Sequence, residues 1–281
     1  MRIESGQSYG LVAPLDKASN SLSKTNNDLN KILQRLSTSL RINKASDDAA
    51  GLGMAEQLAS QVRGFKQAKN NVSDAQSALN IADNTGSQVS DMVQRQRDLA
   101  LQSSNDTLTN QQRAGLNTEY QSLGQEIDRI TNASQFNTQN VANGTDLASG
   151  NAVIQAGPNS QDQTTMPKID MSANALGVTG TSIDTSANAI AALPKLDNAL
   201  QALNSQRSTL GATTNRFEST VNTNSLAEIN TQAAESVLRD QNMAAGLVEL
   251  TKNQILQQST TSAFAQFNEI NANHLIGLLK S

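Results

Sequence analysis

A helical pattern opens the chain: apolar or small residues recur in alternating steps of three and four along residues 15–36. This N-terminal seam consists of Leu15, Ala18, Leu22, Thr25, Leu29, Ile32 and Leu36. Such spacing puts one stripe on an otherwise polar helix and is typical of coiled-coil packing. Because burial of each Leu stabilises a fold by roughly 1.5–3 kcal/mol, the seam needs a partner. Two partners fit: the C-terminal stretch of the same chain, and other copies of the chain.

Further helices are predicted before residue 136. Ser46, followed by Asp47 and Asp48, predicts an N-cap with acidic residues in the first helical turn. The polar segment 103–110 predicts a break, with Thr109 or Asn110 capping the helix that follows. The seam of that helix is Leu116, Tyr120, Leu123, Ile127 and Ile130.

The helical period is lost between residues 136 and about 190, where Gly, Asn, Pro and Ser clusters predict turns. The segments "AVIQA" and "KIDM" predict the two strands of a small β-hairpin. Helical spacing returns at Ile190, with Pro194 in the first turn, where proline is tolerated. The apolar stripe of this helix consists of Leu196, Leu200, Leu203, Leu210, Phe217 and Val221, with Arg207 and Thr214 as its polar members. The last amphipathic stretch consists of Ala263, Phe267, Ile270, His274 and Leu278.

These elements predict a mainly α fold. The simplest arrangement is a long antiparallel α-hairpin, or coiled-coil rod, with a small β-hairpin at its distal end. In this arrangement the N- and C-terminal arms pair with each other. We expect the terminal seams to carry self-assembly through Leu22, Leu29, Ile32, Leu36, Phe264, Phe267, Leu275 and Leu278.

Composition narrows the possible functions. The formal net charge of the 281-residue chain is −4 and no basic stripe is present, which argues against nucleic-acid binding. No apolar run approaches the ~18–20 residues of a membrane span. The N-terminus lacks the apolar stretch of a cleaved secretory signal, which by itself predicts a cytoplasmic protein.

Candidate catalytic chemistry is sparse. The chain has one His and no Cys, so neither a His/Cys metal cluster nor a Cys–His pair can form. The single histidine, His274, falls on the terminal seam, where a packed side chain is expected. No phosphate-binding glycine motif is present. We therefore predict no enzyme activity, no metal and no cofactor.

Five segments, taken together and in order, resemble bacterial flagellin: "LQRLSTSLRINKASDDAAGL", "QRQRDLALQSSN", "QEIDRITNASQFN", "RSTLGATTNRFES" and "NQILQQSTTSAFAQFN". The likeness spans nearly the whole chain outside roughly 145–190. The sequence departs from the family pattern at Ser39, where the "SGLRIN" motif has Gly. Its opening residues "MRI" are similar to the start of the hook–filament junction protein.

The resemblance implies a structural subunit that self-polymerises into the flagellar filament used for swimming. It implies terminal coiled-coil arms at 1–45 and 237–281 that form the inner core of the filament. Between them it implies a helical rod domain at 46–236, with the β-hairpin region at about 136–190. The short middle of the chain leaves no room for outer domains.

The resemblance also implies a location and partners. Members of the family are extracellular and are exported through the flagellar channel without a cleaved signal peptide, which replaces the cytoplasmic prediction. The expected partners are other copies of the chain, the hook-associated and cap proteins, and an export chaperone that holds the C-terminal arm at about 236–281.

Two alternative functions remain. The first is a junction-type adaptor at the hook end, which shares the same terminal architecture. The second is a surface module recognised by the vertebrate innate receptor TLR5, whose recognised motif resembles "QRQRDLALQ". Matched residue by residue, Arg95 and Leu99 take contact positions, with Glu119 on the facing helix. The three are expected to present a cation, an apolar knob and an anion on one exposed face.

Overall fold

The computed structural model describes the backbone of residues 9–280 and the side chains of residues 16–270. Five helices dominate this range: α1 (Tyr9–Thr38), α2 (Ala49–Ser103), α3 (Asn110–Ala133), α4 (Ser186–Arg239) and α5 (Met243–Lys280). Four short strands lie between α3 and α4: β1 (Gln135–Phe136), β2 (Gln139–Asn140), β3 (Val153–Gln155) and β4 (Gln163–Thr165). The predicted mainly α fold with a small antiparallel hairpin is confirmed.

The strands form two antiparallel hairpins. In the first, which the sequence analysis missed, Gln135 pairs with Asn140. Its turn residues Asn137 and Thr138 have φ values of +49° and +67°, as a tight two-residue hairpin turn requires. The brevity of its strands explains why no alternating pattern revealed it.

The second hairpin confirms one predicted strand and corrects the other. β3 lies within "AVIQA", but its partner is β4, with Val153 opposite Thr165. The prediction that residues 168–171 form the second strand is wrong. The chain reverses earlier, because the Asp162 carboxylate accepts the Asn159 backbone N–H at 3.1 Å and closes the turn. Residues 168–171 take part only in isolated bridges, Asp170 with Asn143 and Lys168 with Ser149.

The N-cap of α2 differs from the prediction. Asp48, not Ser46, caps the helix, and its Oδ1 accepts the Gly51 N–H at 2.8 Å. Ser46 lies too far before the first turn, since α2 begins at Ala49. The predicted cap of α3 is confirmed: Thr109 forms a reciprocal capping box, in which its side chain accepts the Gln112 N–H.

Helix α4 begins earlier than expected, and this changes the role of its proline. The Thr185 hydroxyl accepts the Asn188 N–H at 3.1 Å and starts the helix four residues before Ile190. Pro194 therefore lies inside α4 and not in its first turn. Its missing N–H leaves the Ile190 carbonyl without its usual helical donor.

The chain divides into two compact units. One combines the residues up to Ala59 with those from Gln232 onward, and the other comprises Ser60–Thr231. The second unit holds the main core, an aliphatic cluster with Tyr120 and Phe217 as its largest fully buried side chains. The predicted stripe on α4 lies in this core, with Leu196, Leu203 and Leu210 buried.

Candidate functional site

Helix α1 packs its predicted seam against α5. Ile32 is buried, and the other described members of the seam (Ala18, Leu22, Thr25, Leu29 and Leu36) are partly buried. Neighbouring positions such as Leu33 are exposed. In the single chain, the C-terminal stretch is therefore the partner that covers this seam.

The face of α5 that meets α1, here called the inner face, is polar at its centre. Its buried or partly buried positions alternate in steps of four and three: Gly246, Leu250, Asn253, Gln257, Thr260 and Phe264. Two contacts set the antiparallel alignment. Gln257 Nε2 donates to Asn26 Oδ1 at 2.8 Å, and a Cβ added to Gly246 would meet Leu36 Cδ2 at 2.9 Å. Counting along the two antiparallel helices from these contacts places Leu29 opposite Asn253. Polar side chains of α5 therefore oppose the middle of the apolar seam of α1.

A second face of α5 is richer in apolar side chains. We call it the outer face, and its members recur at intervals of seven: Val248 and Ile255 in one row, with Leu256, Ala263 and Ile270 in the next. All five are exposed, Val248 at 69% and Ile255 at 67%. Exposed apolar side chains grouped on one face mark interaction surfaces. In the part of the chain that the structure describes, nothing covers the outer face.

The predicted assembly residues fall into three groups. Leu22, Leu29, Ile32 and Leu36 lie on the seam of α1, as described above. On α5, Phe264 is partly buried on the inner face, and Phe267 continues that face three residues later but is exposed. Leu275 and Leu278 lie outside the described side chains, as does His274 of the predicted C-terminal stripe.

The predicted C-terminal stripe mixes two faces of α5. Phe267 belongs to the inner face, whereas Ala263 and Ile270 belong to the outer face. The seven-residue spacing back from Phe264 runs through Gln257 and Leu250, so the inner face was visible in the sequence. It was missed because its central members are polar and were not counted as part of a seam.

The break between α1 and α2 pairs with the break between α4 and α5. The Arg41 N–H donates to Arg239 O at 2.7 Å, and the Gln241 N–H donates to Ser39 O at 2.9 Å. Leu40 lies between them in an antiparallel bridge with Asp240. We call these paired segments the joint. Hydrogen bonds across the joint satisfy backbone groups that the ends of the helices leave free.

Two residues in the joint have distinctive local chemistry. Ser39 has a φ of +58°, the left-handed conformation that favours glycine, which explains why Gly suits this position of the motif. Asp47 Oδ2 accepts the N–H groups of Asn43 and Lys44 at 3.2 and 3.1 Å. These backbone hydrogen bonds hold the pKa of Asp47 below its ordinary range, because they favour the charged carboxylate.

The candidate receptor-contact residues lie in the second unit, and the structure corrects one of them. Arg95 Nη2 and Nε both contact Glu119 Oε1, at 2.6 and 2.9 Å, in an exposed ion pair. Leu99 is only 1% exposed and belongs to the core. The prediction of an exposed apolar knob at Leu99 is therefore wrong. Arg95 reaches solvent through its long side chain, whereas the short Leu99 side chain one turn later stays packed.

A buried arginine that the sequence analysis did not single out closes the turn between α2 and α3. The Arg113 guanidinium donates to the carbonyls of Ser103, Leu108 and Asn105 at 2.9, 2.9 and 2.8 Å. The positive charge thus sits at the C-terminal end of α2, where the helix dipole favours a cation. A single Arg among many scattered charges gave no sequence signal of this role.

The described residues lack the features of a metal site and of a membrane span. Among them, no group of three or more His, Asp or Glu side chains is placed to hold a metal ion. None of the helices in the same range combines the length and the apolar character needed to cross a bilayer.

The chain is similar to known proteins over most of its length. Residues 13–146 match the family described as the bacterial flagellin N-terminal helical region, and residues 193–279 match the bacterial flagellin C-terminal helical region. A protein named flagellin from Halalkalibacterium halodurans is 39% identical over 85% of this chain and 88% of its own length. Flagellin FlaB1 of Treponema pallidum is 35% identical over 94% of this chain and 96% of its own length.

A solved structure gives a likeness of fold alone. It is a putative flagellar hook-associated protein from Vibrio parahaemolyticus, and it is 17% identical with a TM-score of 0.54. The match covers 69% of this chain and 99% of that protein.

Proposed function

Because the chain belongs to the bacterial flagellin family, we propose that the outer face of α5 and the α1–α5 pair carry its assembly. The chain is a structural subunit of the bacterial flagellar filament, and it functions outside the cell. Family members self-assemble, so the first partner of the chain is another copy of itself.

The exposure of the outer face is the observation that carries this proposal. Five apolar positions lie in two adjacent rows on one helix, and the single chain leaves them all in contact with solvent. Removing apolar surface from water is favourable in rough proportion to its area. Stacking copies of the subunit would bury these rows repeatedly along a filament, with α1 supporting α5 from its inner side.

Removal of the terminal arms tests the proposal. A chain that lacks about forty residues at either end keeps all of Ser60–Thr231, which holds the main core. We expect a soluble, helical protein that does not polymerise when filament fragments are added as seeds. Negative-stain electron microscopy detects the filaments, and circular dichroism checks the fold. Filaments grown from the doubly truncated protein would overturn the proposal.

The same experiment with the full chain separates the main function from the adaptor alternative. A filament subunit extends the seeds into long filaments of uniform width. A junction-type adaptor would bind in few copies and stop elongation. The strong similarity to proteins named flagellin supports the filament subunit.

The domain organisation is part of the proposal. Terminal arms at 1–45 and 237–281 would form the inner core of the filament, and residues 46–236 would form the rod. Between the two family matches lie only residues 147–192, which contain β3, β4 and their connections. This short interval supports a subunit without outer domains.

The export route and the remaining flagellar partners are also part of the proposal, which family membership supports. The chain would pass through the flagellar channel without a cleaved signal peptide, with a chaperone on the C-terminal arm at about 236–281. The outer face of α5 lies in this segment. Its exposed apolar side chains support the proposal that a chaperone shields them from solvent before assembly. Hook-associated and cap proteins would meet the filament at its two ends.

Recognition by TLR5 stays a prediction that rests on Arg95 and Glu119, since Leu99 is buried. The exposed ion pair supplies both charges on adjacent helices. Loss of receptor signalling in both Arg95→Ala and Glu119→Ala would support it, with Arg129→Ala as an exposed control on α3. Unchanged signalling in both variants would remove this site.

A further inference from the structure

Two faces of helix α5 could pack against α1, and they differ in apolar content. The inner face presents Asn253, Gln257 and Thr260 at its centre, whereas the outer face at the same level presents Ile255 and Leu256. The facing seam of α1 is mainly leucine and isoleucine. Hydrophobic burial alone would therefore place the outer face against α1. The observed packing is the reverse, so another interaction selects the inner face.

We propose that the hydrogen bond between Asn26 and Gln257 decides which face of α5 lies against α1. The inference rests on the proposed function, because the face left open is the one offered to neighbouring copies. Asn26 is partly buried beside the α1 seam, and its Oδ1 accepts from Gln257 Nε2 at 2.8 Å. A rotation of α5 that buried Ile255 would remove this partner from Asn26.

The specificity arises from the cost of an unmatched amide. A partly buried polar group that loses its partner costs more than a satisfied bond contributes, so mispaired packing is disfavoured. A single polar pair in a coiled coil sets alignment in the same way, at some expense of stability. In this protein the pair keeps the larger apolar face free for assembly.

Disulfide trapping can measure which face is used, because the chain has no cysteine of its own. Leu29→Cys with Asn253→Cys reports the inner face, and Leu29→Cys with Ile255→Cys reports the outer face. Both pairs are introduced separately into the full chain and oxidised under identical conditions. In the wild-type background we expect the inner pair to crosslink in preference to the outer pair.

The decisive variants change the amide pair. Asn26→Leu leaves Gln257 unmatched, and we expect the ratio of inner to outer crosslinking to fall about tenfold. The double variant Asn26→Leu with Gln257→Leu removes the mismatch and replaces the hydrogen bond by an apolar contact on the inner face, so it should restore the ratio. Asn27→Leu is the matched control, since Asn27 is the adjacent exposed amide on α1, and it should leave the ratio unchanged.

Three results would overturn the inference: equal ratios in Asn26→Leu and Asn27→Leu, failure of the double variant to restore the ratio, or loss of both crosslinks in Asn26→Leu. The last result would mean that the bond only stabilises the pair and does not choose a face. The readout does not require filaments. A chain that responds in the crosslinking assay but never extends seeds would contradict the proposed function and leave this inference standing.

Discussion

At the scale of single residues, three side chains shape the backbone where helices end. Ser39 occupies a left-handed conformation, Asp47 accepts two backbone N–H groups, and Arg113 donates to three carbonyls. All three act at breaks, where helices leave N–H or C=O groups without partners. Their effects can be measured one at a time.

Replacement of Ser39 by glycine should stabilise the protein. A residue with a Cβ is strained at a φ of +58°, and removal of the Cβ relieves this strain. We expect the free energy of unfolding to rise by about 0.5–1 kcal/mol. Thermal unfolding followed by circular dichroism measures it. Ser37→Gly, inside α1, should instead lower stability, and a gain in both variants would contradict the argument.

Replacement of Arg113 by lysine should destabilise the second unit. An ammonium group cannot reach three carbonyls that a planar guanidinium contacts together. Since the Arg113 side chain is only 8% exposed, we expect a loss of about 2–4 kcal/mol in urea unfolding. Arg129→Lys, at an exposed ion pair on α3, should leave stability nearly unchanged. Similar losses in the two variants would refute the role of Arg113.

The charge on Asp47 should make part of the stability dependent on pH. Its pKa is lowered in the folded chain. The stabilisation is therefore fully present above the unfolded-state pKa near 4 and is lost as the pH falls through the folded pKa. We expect Asp47→Asn to melt below wild type at pH 6 and to converge with it once the pH has fallen below the lowered pKa of Asp47. A constant difference in melting temperature across this range would argue against the mechanism.

At the scale of elements, the sequence predicted helices well where their apolar residues repeat. The seam of α1 and the stripe on α4 both appear in the structure. Among the features that polar contacts decide, the predicted cap at Thr109 is confirmed, but three others were predicted wrongly. Asp48 replaced Ser46 as the cap, Thr185 moved the start of α4, and Asp162 shortened the second hairpin.

The inner face of α5 shows the same limitation at the candidate site. Gln257 and Asn253 follow the seven-residue spacing of the inner face, but amides form no apolar pattern, and only the position of α1 shows their role. The burial of Leu99 was likewise hidden, because Arg95 and Leu99 share one side of α2 and only tertiary packing separates their exposure.

Pro194 provides a test of helix continuity. Because it lies inside α4, substitution by alanine restores an N–H for the Ile190 carbonyl and removes a steric clash. Pro194 is exposed, so water already compensates part of the loss, and we expect a gain of about 1–2 kcal/mol. Chemical denaturation measures the gain, with the exposed neighbour Lys195→Ala expected to be near neutral. A loss of stability in Pro194→Ala would show that the proline is required.

At the scale of the whole molecule, the apolar surface of the terminal helices is of two kinds. One part is buried within the chain, and the other part is left exposed. The seam of α1 is covered by α5, and the outer face of α5 is covered by nothing in the described chain. A subunit built in this way packs its two arms together and has apolar surface left for its neighbours.

A charge on the outer face should block assembly without unfolding the subunit. Ile255 is exposed in the single chain, so Ile255→Asp should leave helicity unchanged while a neighbouring copy would have to bury the charge. We expect seeded growth to fall at least about tenfold, measured by light scattering and electron microscopy. Gln258→Asp, an equally charged change on a different side of α5, should grow filaments. Normal growth of Ile255→Asp would exclude the outer face.

The joint has a mechanical consequence. Two covalent backbones pass through it side by side, while the contacts that hold them together are hydrogen bonds across the gap. A pull along the chain is therefore carried by peptide bonds, whereas bending or splaying is resisted only by the weaker transverse contacts. We therefore expect the joint to bend more easily than the continuous helices that lead into it, while the covalent chain keeps its two sides connected.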